Sequence, residues 1–228
     1  MNLSTITCAS GSERRMQSIG AVLDSAQHLF VSQGYHGTTV DRIAQRAGLT
    51  KAAIYFYFDD KRSLLNALLD RVEERVYGPL CDELNRSELS AADRLVTFLH
   101  CQAQSGGKDA EMLLLPVVMS KEFSGSGDPA EKRVQALYDR IYAAIEQVVG
   151  DGQRTGAFAT HAPPGEQASI IVAVHDGMLL EWLRRGRGGQ LDGQTLVRAM
   201  RLTVLEGVRD HAGSSAQGLE AGLAGSRT

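Results

Sequence analysis

Little in this sequence is aromatic, and no part of it is both long and apolar. Aromatic residues make up 6% of the chain, so a core must come mainly from aliphatic side chains. Alanine and leucine are abundant, which favours helix. No stretch approaches the roughly 20 uncharged apolar residues of a membrane span, so no membrane partner is expected. The start, "MNLSTITCAS", lacks a positively charged segment followed by an apolar run, which argues against a secretory signal. The cysteines Cys8, Cys81 and Cys101 have no metal-ligand spacing and cannot all pair within one chain. A reducing, cytoplasmic setting without a metal site is therefore expected. There is no His-x-x-x-His, no nucleophile elbow and no phosphate loop. No catalytic residue, enzyme activity or cofactor is expected. The adjacent His175 and Asp176 should point apart on a helix, and Asp176 and Glu181 do not share a face well.

What is present is enough apolar material for a substantial core, 43% of 228 residues. The net charge of −3 argues against a protein that coats nucleic acid over its whole surface. Its distribution says more. Residues 1–62 hold seven Lys/Arg and five acids, whereas the remainder holds 17 and 22. A mildly basic end on an acidic body permits a local anionic partner.

The apolar periodicity is helical throughout. Ile19, Val22, Leu23, Ala26, Leu29 and Phe30 recur at three- and four-residue steps, predicting a helix over 13–33 that Gly34 stops. Thr38 or Thr39 caps a second helix burying Val40, Ile43, Ala44 and Ala47, and Gly48 ends it. Thr50 caps a third, with Ala53, Ile54 and Tyr57 or Phe58 turned inward. Asp59 or Asp60 caps a fourth, which runs through Leu64, Leu65, Leu68, Leu69 and Val72 to a break at Gly78-Pro79. Further stripes fall near 90–104, 109–123, 130–149, 166–186 and 193–210, separated by joints such as "SGSGDP" and "HAPPGE". No segment alternates as a half-buried strand does. The expectation is an all-α chain of about nine helices. A disordered N-terminus (1–12) precedes a domain at 13–58 and a connecting helix at 59–77. A helical body (78–211) and a flexible tail (212–228) complete it.

Residues 38–58, "TTVDRIAQRAGLTKAAIYFYF", form a helix-turn-helix pattern. Ala44 is small where two helices cross, Gly48 can take the left-handed turn, and Ile54 returns an apolar contact. Such a unit lays its second helix in the DNA major groove. Thr50, Lys51, Ala52 or Ala53, Tyr55 and Phe56 are its candidate outward residues. Lys51 can reach base acceptors or phosphate, and alanine methyls can touch thymine methyls. Thr39 and Lys61 lie at helix starts, where free N–H groups favour phosphate oxygens. Tyr55 and Tyr57 offer hydroxyls at the same height. So few reading residues point to a dimer on a two-part operator.

The stretch "LFVSQGYHGTTVDRIAQRAGLTKAAIYFYFDDKRSLLNALL", residues 29–69, resembles the DNA-binding domain of TetR-family transcriptional regulators. The likeness lies in the Gly-Tyr turn before paired threonines, Ile-Ala-x-x-Ala-Gly, Tyr-x-x-Phe and Lys-x-x-Leu-Leu. It is strong over roughly 13–77, whereas the rest agrees only in helical layout and length. The resemblance implies operator contacts at Thr39, Thr50, Lys51, Ala53, Tyr55, Phe56, Tyr57 and Lys61. Phe56 stands where a tyrosine is frequent and Tyr57 where a histidine is frequent, so Tyr57 alone of the two keeps a donor. It also implies a dimer built on the last two helices and an effector pocket in the helices before them.

The body's own residues agree with the first of these. Residues 166–186 and 193–210 carry more apolar surface than one domain face requires, and Ile171, Val174, His175, Met178, Leu196, Met200 and Val204 are the expected dimer interface. For the pocket, Met112, Leu115, Met119 and Phe123 fall at helical spacing around Pro116, whose kink could open space. The same stripe can equally be core. His100, Tyr138, Tyr142 and Trp182 are further candidates. The reading at this level is a cytoplasmic, homodimeric, ligand-responsive repressor that binds double-stranded operator DNA. A DNA-binding regulator without small-molecule control and a protein-interaction module are the alternatives.

Overall fold

The computed structural model of the protein describes residues 11–105, 110–185 and 193–208. The expected flexible tail at 212–228 and most of the expected disordered start at 1–12 lie outside the described residues. So do the side chains of His100, Trp182, Leu196 and Met200.

Among the described residues the chain forms ten α-helices and no strand. They are α1 (Gly11–Gln33), α2 (Val40–Ala47), α3 (Lys51–Tyr55), α4 (Lys61–Val72), α5 (Gly78–Leu84), α6 (Ala91–Ser105), α7 (Ala110–Phe123), α8 (Pro129–Arg154), α9 (Pro164–Arg185) and α10 (Gly193–Val208). The small unit α1–α3 is capped as its sequence demands. The Thr39 hydroxyl accepts from the Arg42 amide, and the Thr50 hydroxyl from the Ala53 amide. Gly48 turns left-handed at φ 68°, where a side chain would be strained. Asp60 and Ser63 form a reciprocal capping box on α4.

The expected break at Gly78-Pro79 is not there. A π-helical turn at Glu73–Tyr77 joins α4 to α5, and the Gly78 amide reaches back to Glu73. Proline has no N–H to give the ladder, and the widened turn placed just before it lets the helix resume with Pro79 in its first turn. The short α5 that follows is the element the sequence reading did not separate.

In the body, α7 is buried nearly all round. Leu113, Leu114 and Leu115 are consecutive and all inside, as a central helix requires. It packs on α1, α8 and α9, while α8 packs along α9 and α10 along α6. Met112, Leu115, Met119 and Phe123 are at most 3% exposed. All four of these expected pocket residues belong to the buried apolar cluster of the body.

One buried ion pair ties this body together. The Arg94 guanidinium, 4% exposed, donates to Asp151 at 2.5 Å and to the Leu84 carbonyl at 3.1 Å. The hydrogen bond from Arg94 holds the Asp151 carboxyl below its ordinary pKa. A folded pKa below the unfolded one adds stability above the unfolded pKa of about 4, and that stability is lost as pH falls through the folded value. Asp151→Asn leaves Arg94 buried without its counter-charge. Urea unfolding should show a loss of about 3 kcal/mol at pH 7. The gap to wild type should narrow at pH 3.

Candidate nucleic-acid interface

The third helix is anchored on one side and bare on the other. Ile54 is 1% exposed, whereas Tyr55 is 46% and Phe56 76% exposed. Lys51 and Ala52 lie on the open side and Ala53 is half-buried. Tyr55 and Phe56 are consecutive, so two exposed rings stand at the end of this helix. Tyr57 is half-buried and meets Phe56 edge-on, with ring centroids 5.1 Å apart. The Arg15 guanidinium lies 5.7 Å from the Tyr57 ring centre. Arg15 was not among the expected site residues. Its distance in sequence from α3 hid it, and only the return of α1 past Tyr57 brings it close.

Lys51 Nζ lies 2.6 Å from Asp41 on α2, with both groups exposed. That hydrogen bond raises the Lys51 pKa, so the ammonium stays charged. Thr39 and Thr50 accept backbone protons as caps, and their own hydroxyl protons remain for an outside acceptor.

Lys61 departs from expectation. Its ammonium donates to the Tyr35 carbonyl at 2.8 Å and the Thr38 carbonyl at 2.9 Å, and sits 4.1 Å from the Tyr35 ring centre. Partial burial lowers its pKa. The side chain braces the α1–α2 turn by giving the Thr38 carbonyl its donor and the Tyr35 carbonyl a second one beside the Thr38 amide. What Lys61 offers outside is its place at the start of α4.

The same turn also touches the body. Tyr35 and His36 pack on Phe123 at the end of α7, with ring centroids 5.1 and 5.7 Å away. The His36 amide reaches Glu122 at 3.3 Å, and Arg62 pairs with Asp128 at 2.9 Å.

Of the expected pocket residues, Tyr138 and Tyr142 line a cleft of about 250 Å³ between α7 and α8, with Ser120, Ser124 and Val134. Of the expected interface, Ile171, Val174 and Val204 line an apolar groove of about 600 Å³ between α9 and α10, and Met178 is half-buried nearby. His175 is 4% exposed and faces Phe98 of α6. Its assignment to an outward interface is corrected, because its phase on α9 turns it into the body. Ile170, Leu183 and Leu202, from 41 to 66% exposed, are the apolar residues that do face out.

Residues 22–68 match the family model described as bacterial regulatory proteins, tetR family. The regulator SrpR of Pseudomonas putida is 38% identical over 178 residues, spanning 78% of this chain and 79% of that protein. The chain belongs to the TetR family. It is thus a helix-turn-helix transcriptional regulator of the repressor type, in a family of regulators rather than enzymes. The MbdR regulator from Azoarcus sp. CIB is 40% identical and superposes with a TM-score of 0.76 over 85% of this chain and 100% of that one. At 18% identity the TetR fold still matches AibR, solved with isovaleryl coenzyme A and operator DNA, with a TM-score of 0.66 over 82% of this chain and 97% of that one. Among the described residues no helix is long and apolar enough to cross a membrane.

Because Lys61 points inward, its loss should register as stability. Lys61→Met should lower unfolding free energy by about 1–3 kcal/mol, the cost of leaving the Thr38 carbonyl without its donor. Phe56→Ala should stay within about 0.5 kcal/mol of wild type. Urea denaturation of both variants checks the contrast.

Proposed function

We propose that this TetR-family chain is a cytoplasmic, homodimeric repressor that binds a palindromic operator and is released by a small apolar or amphipathic effector. The observation that carries the reading is the third helix, held by Ile54 in the core and presenting Lys51, Ala52, Tyr55 and Phe56 to solvent. Lys51 and Ala53 are suited to base edges or nearby phosphate. Thr39, Thr50, Tyr55 and Tyr57 supply hydroxyl donors for phosphate, with Arg15 adding charge beside Tyr57. Phe56 lends an apolar edge against sugar or thymine methyl. The backbone N–H groups at the start of α4 give Lys61 its part.

The dimer would form on α9 and α10. The outward Ile170 and Leu202 and the apolar groove beside them support this, since closing two such faces removes apolar surface from water. AibR was solved with both an acyl-coenzyme A and operator DNA, which makes an effector in this body reasonable. The cleft at Tyr138 and Tyr142 is its nearest visible opening. An effector acts only through unequal affinity for the operator-bound and free forms.

Footprinting upstream of the chain's own gene, followed by salt titration of binding, tests the DNA reading. Protection of two half-sites one helical turn apart is expected. Lys51→Ala should weaken binding and reduce the salt slope by about 1. An unchanged slope and affinity would remove Lys51 from the interface, and no protection at low salt would sink the DNA reading itself.

A further inference from the structure

Behind the cleft lies a buried polar chain that no DNA contact uses. The Tyr138 hydroxyl donates to Asp176 Oδ2 at 2.9 Å, and Tyr138 also lines the cleft. Tyr77, at the end of the π-helical turn, is buried with its ring edge-on to Tyr138, centroids 6.4 Å apart. Burial raises both phenol pKa values and keeps them protonated. On the other side, His175 Nδ1 lies 3.0 Å from Asp176 Oδ1. A carboxylate only accepts, so Nδ1 carries the proton, and in the neutral ring Nε2 is a bare acceptor.

Among the described residues that acceptor has no partner. His175 is 4% exposed, and its Nε2 is buried without a hydrogen bond. Such a group is destabilising unless something supplies a proton donor. Phe98 lies 6.1 Å from the His175 ring, and on the Asp176 side Tyr77, Tyr138 and Tyr142 follow one another, edge-on and tilted, with centroids 6.4 and 6.2 Å apart. The chain thus ends in one unfilled acceptor in an aromatic setting, on three elements: the π-helical turn, α8 and α9.

We infer that Tyr77, Tyr138, Asp176 and His175 are the polar end of the effector site, and that the effector is an aromatic alcohol whose hydroxyl donates to His175 Nε2. This rests on the proposal that the body binds an effector. Asp176 fixes the tautomer, Tyr138 fixes Asp176 with Tyr77 packed behind it, and the rings receive the apolar part. The two tyrosines and Asp176 are positioning residues, and His175 touches the ligand.

The test pairs aromatic alcohols with their methyl ethers, 1-naphthol with 1-methoxynaphthalene and 4-phenylphenol with 4-methoxybiphenyl, titrated calorimetrically into the full chain. Each alcohol should bind about tenfold tighter than its ether, the size of one buried hydrogen bond left unmade. The His175 Nε2 resonance should move in nitrogen-15 spectra as the alcohol is added. His175→Phe should abolish the preference, and His175→Gln, which keeps an acceptor, should restore part of it. Circular dichroism melts establish that both variants fold, and if His175→Phe does not, the resonance and His175→Gln decide. Ethers binding as tightly as alcohols, or an unmoved Nε2 resonance, would overturn the role of His175 and leave the effector proposal standing. Binding by neither series would overturn both.

Discussion

Five side chains on α4 hold the rest of the molecule in place. Leu64, Leu65, Leu68, Leu69 and Val72 are all at 0% exposure, a continuous face that belongs to two neighbourhoods at once. On one side is α1, and on the other are α7 and α8. The helix-turn-helix unit and the body therefore share one core. Close-packed interiors do not deform continuously, so α4 cannot slide without repacking both. Its surface ion pairs, Arg133 with Asp70 and Arg140 with Glu73, are exposed contacts worth little in themselves, about 0–1 kcal/mol each. They mark register, whereas the leucines set it.

A second link runs beside α4. Phe123 and Glu122, at the last turn of α7, hold Tyr35 and His36 of the α1–α2 turn, and Lys61 braces that turn from behind. The cleft at Tyr138 includes Ser120 and Ser124, which flank the same end of α7. Anything that moves this end of α7 therefore pushes on the turn that positions α2 and α3. The aromatic cluster at Phe123 thus gives the two parts a second link beside α4, and the π-helical turn ends in Tyr77, whose ring meets Tyr138.

The DNA-reading unit was legible in the residues because local chemistry specifies it. Threonine caps, a left-handed glycine and an apolar residue returning to the crossing each act within a few positions, and each is where expected. What sequence could not supply was orientation over long range. Lys61 reads as a basic residue at a helix start, yet two carbonyls from the α1–α2 turn capture it. Met112 and Met119 look alike whether they line a pocket or fill a core, and only the encircling helices decide. His175 and Asp176 are about 100° apart on a helix and were expected to diverge. The ring nitrogen nearest the backbone and a rotated carboxylate bridge that step at 3.0 Å. Ile170 and Leu202 were passed over because periodicity finds the buried stripe and says nothing of a second, outward one.

The proposed dimer requires that its two DNA-reading units, each tied to its body through the α4 core, hold one spacing on operator and another off it. It is tested most directly by placing a spin label at Ser32, exposed on α1, and measuring the distance between labels in the dimer by pulsed electron resonance. With operator DNA the account predicts one narrow distance distribution. Without DNA it predicts a shifted or broader one of the same two labels. No inter-label distance at all, or a distribution indifferent to operator, would contradict it.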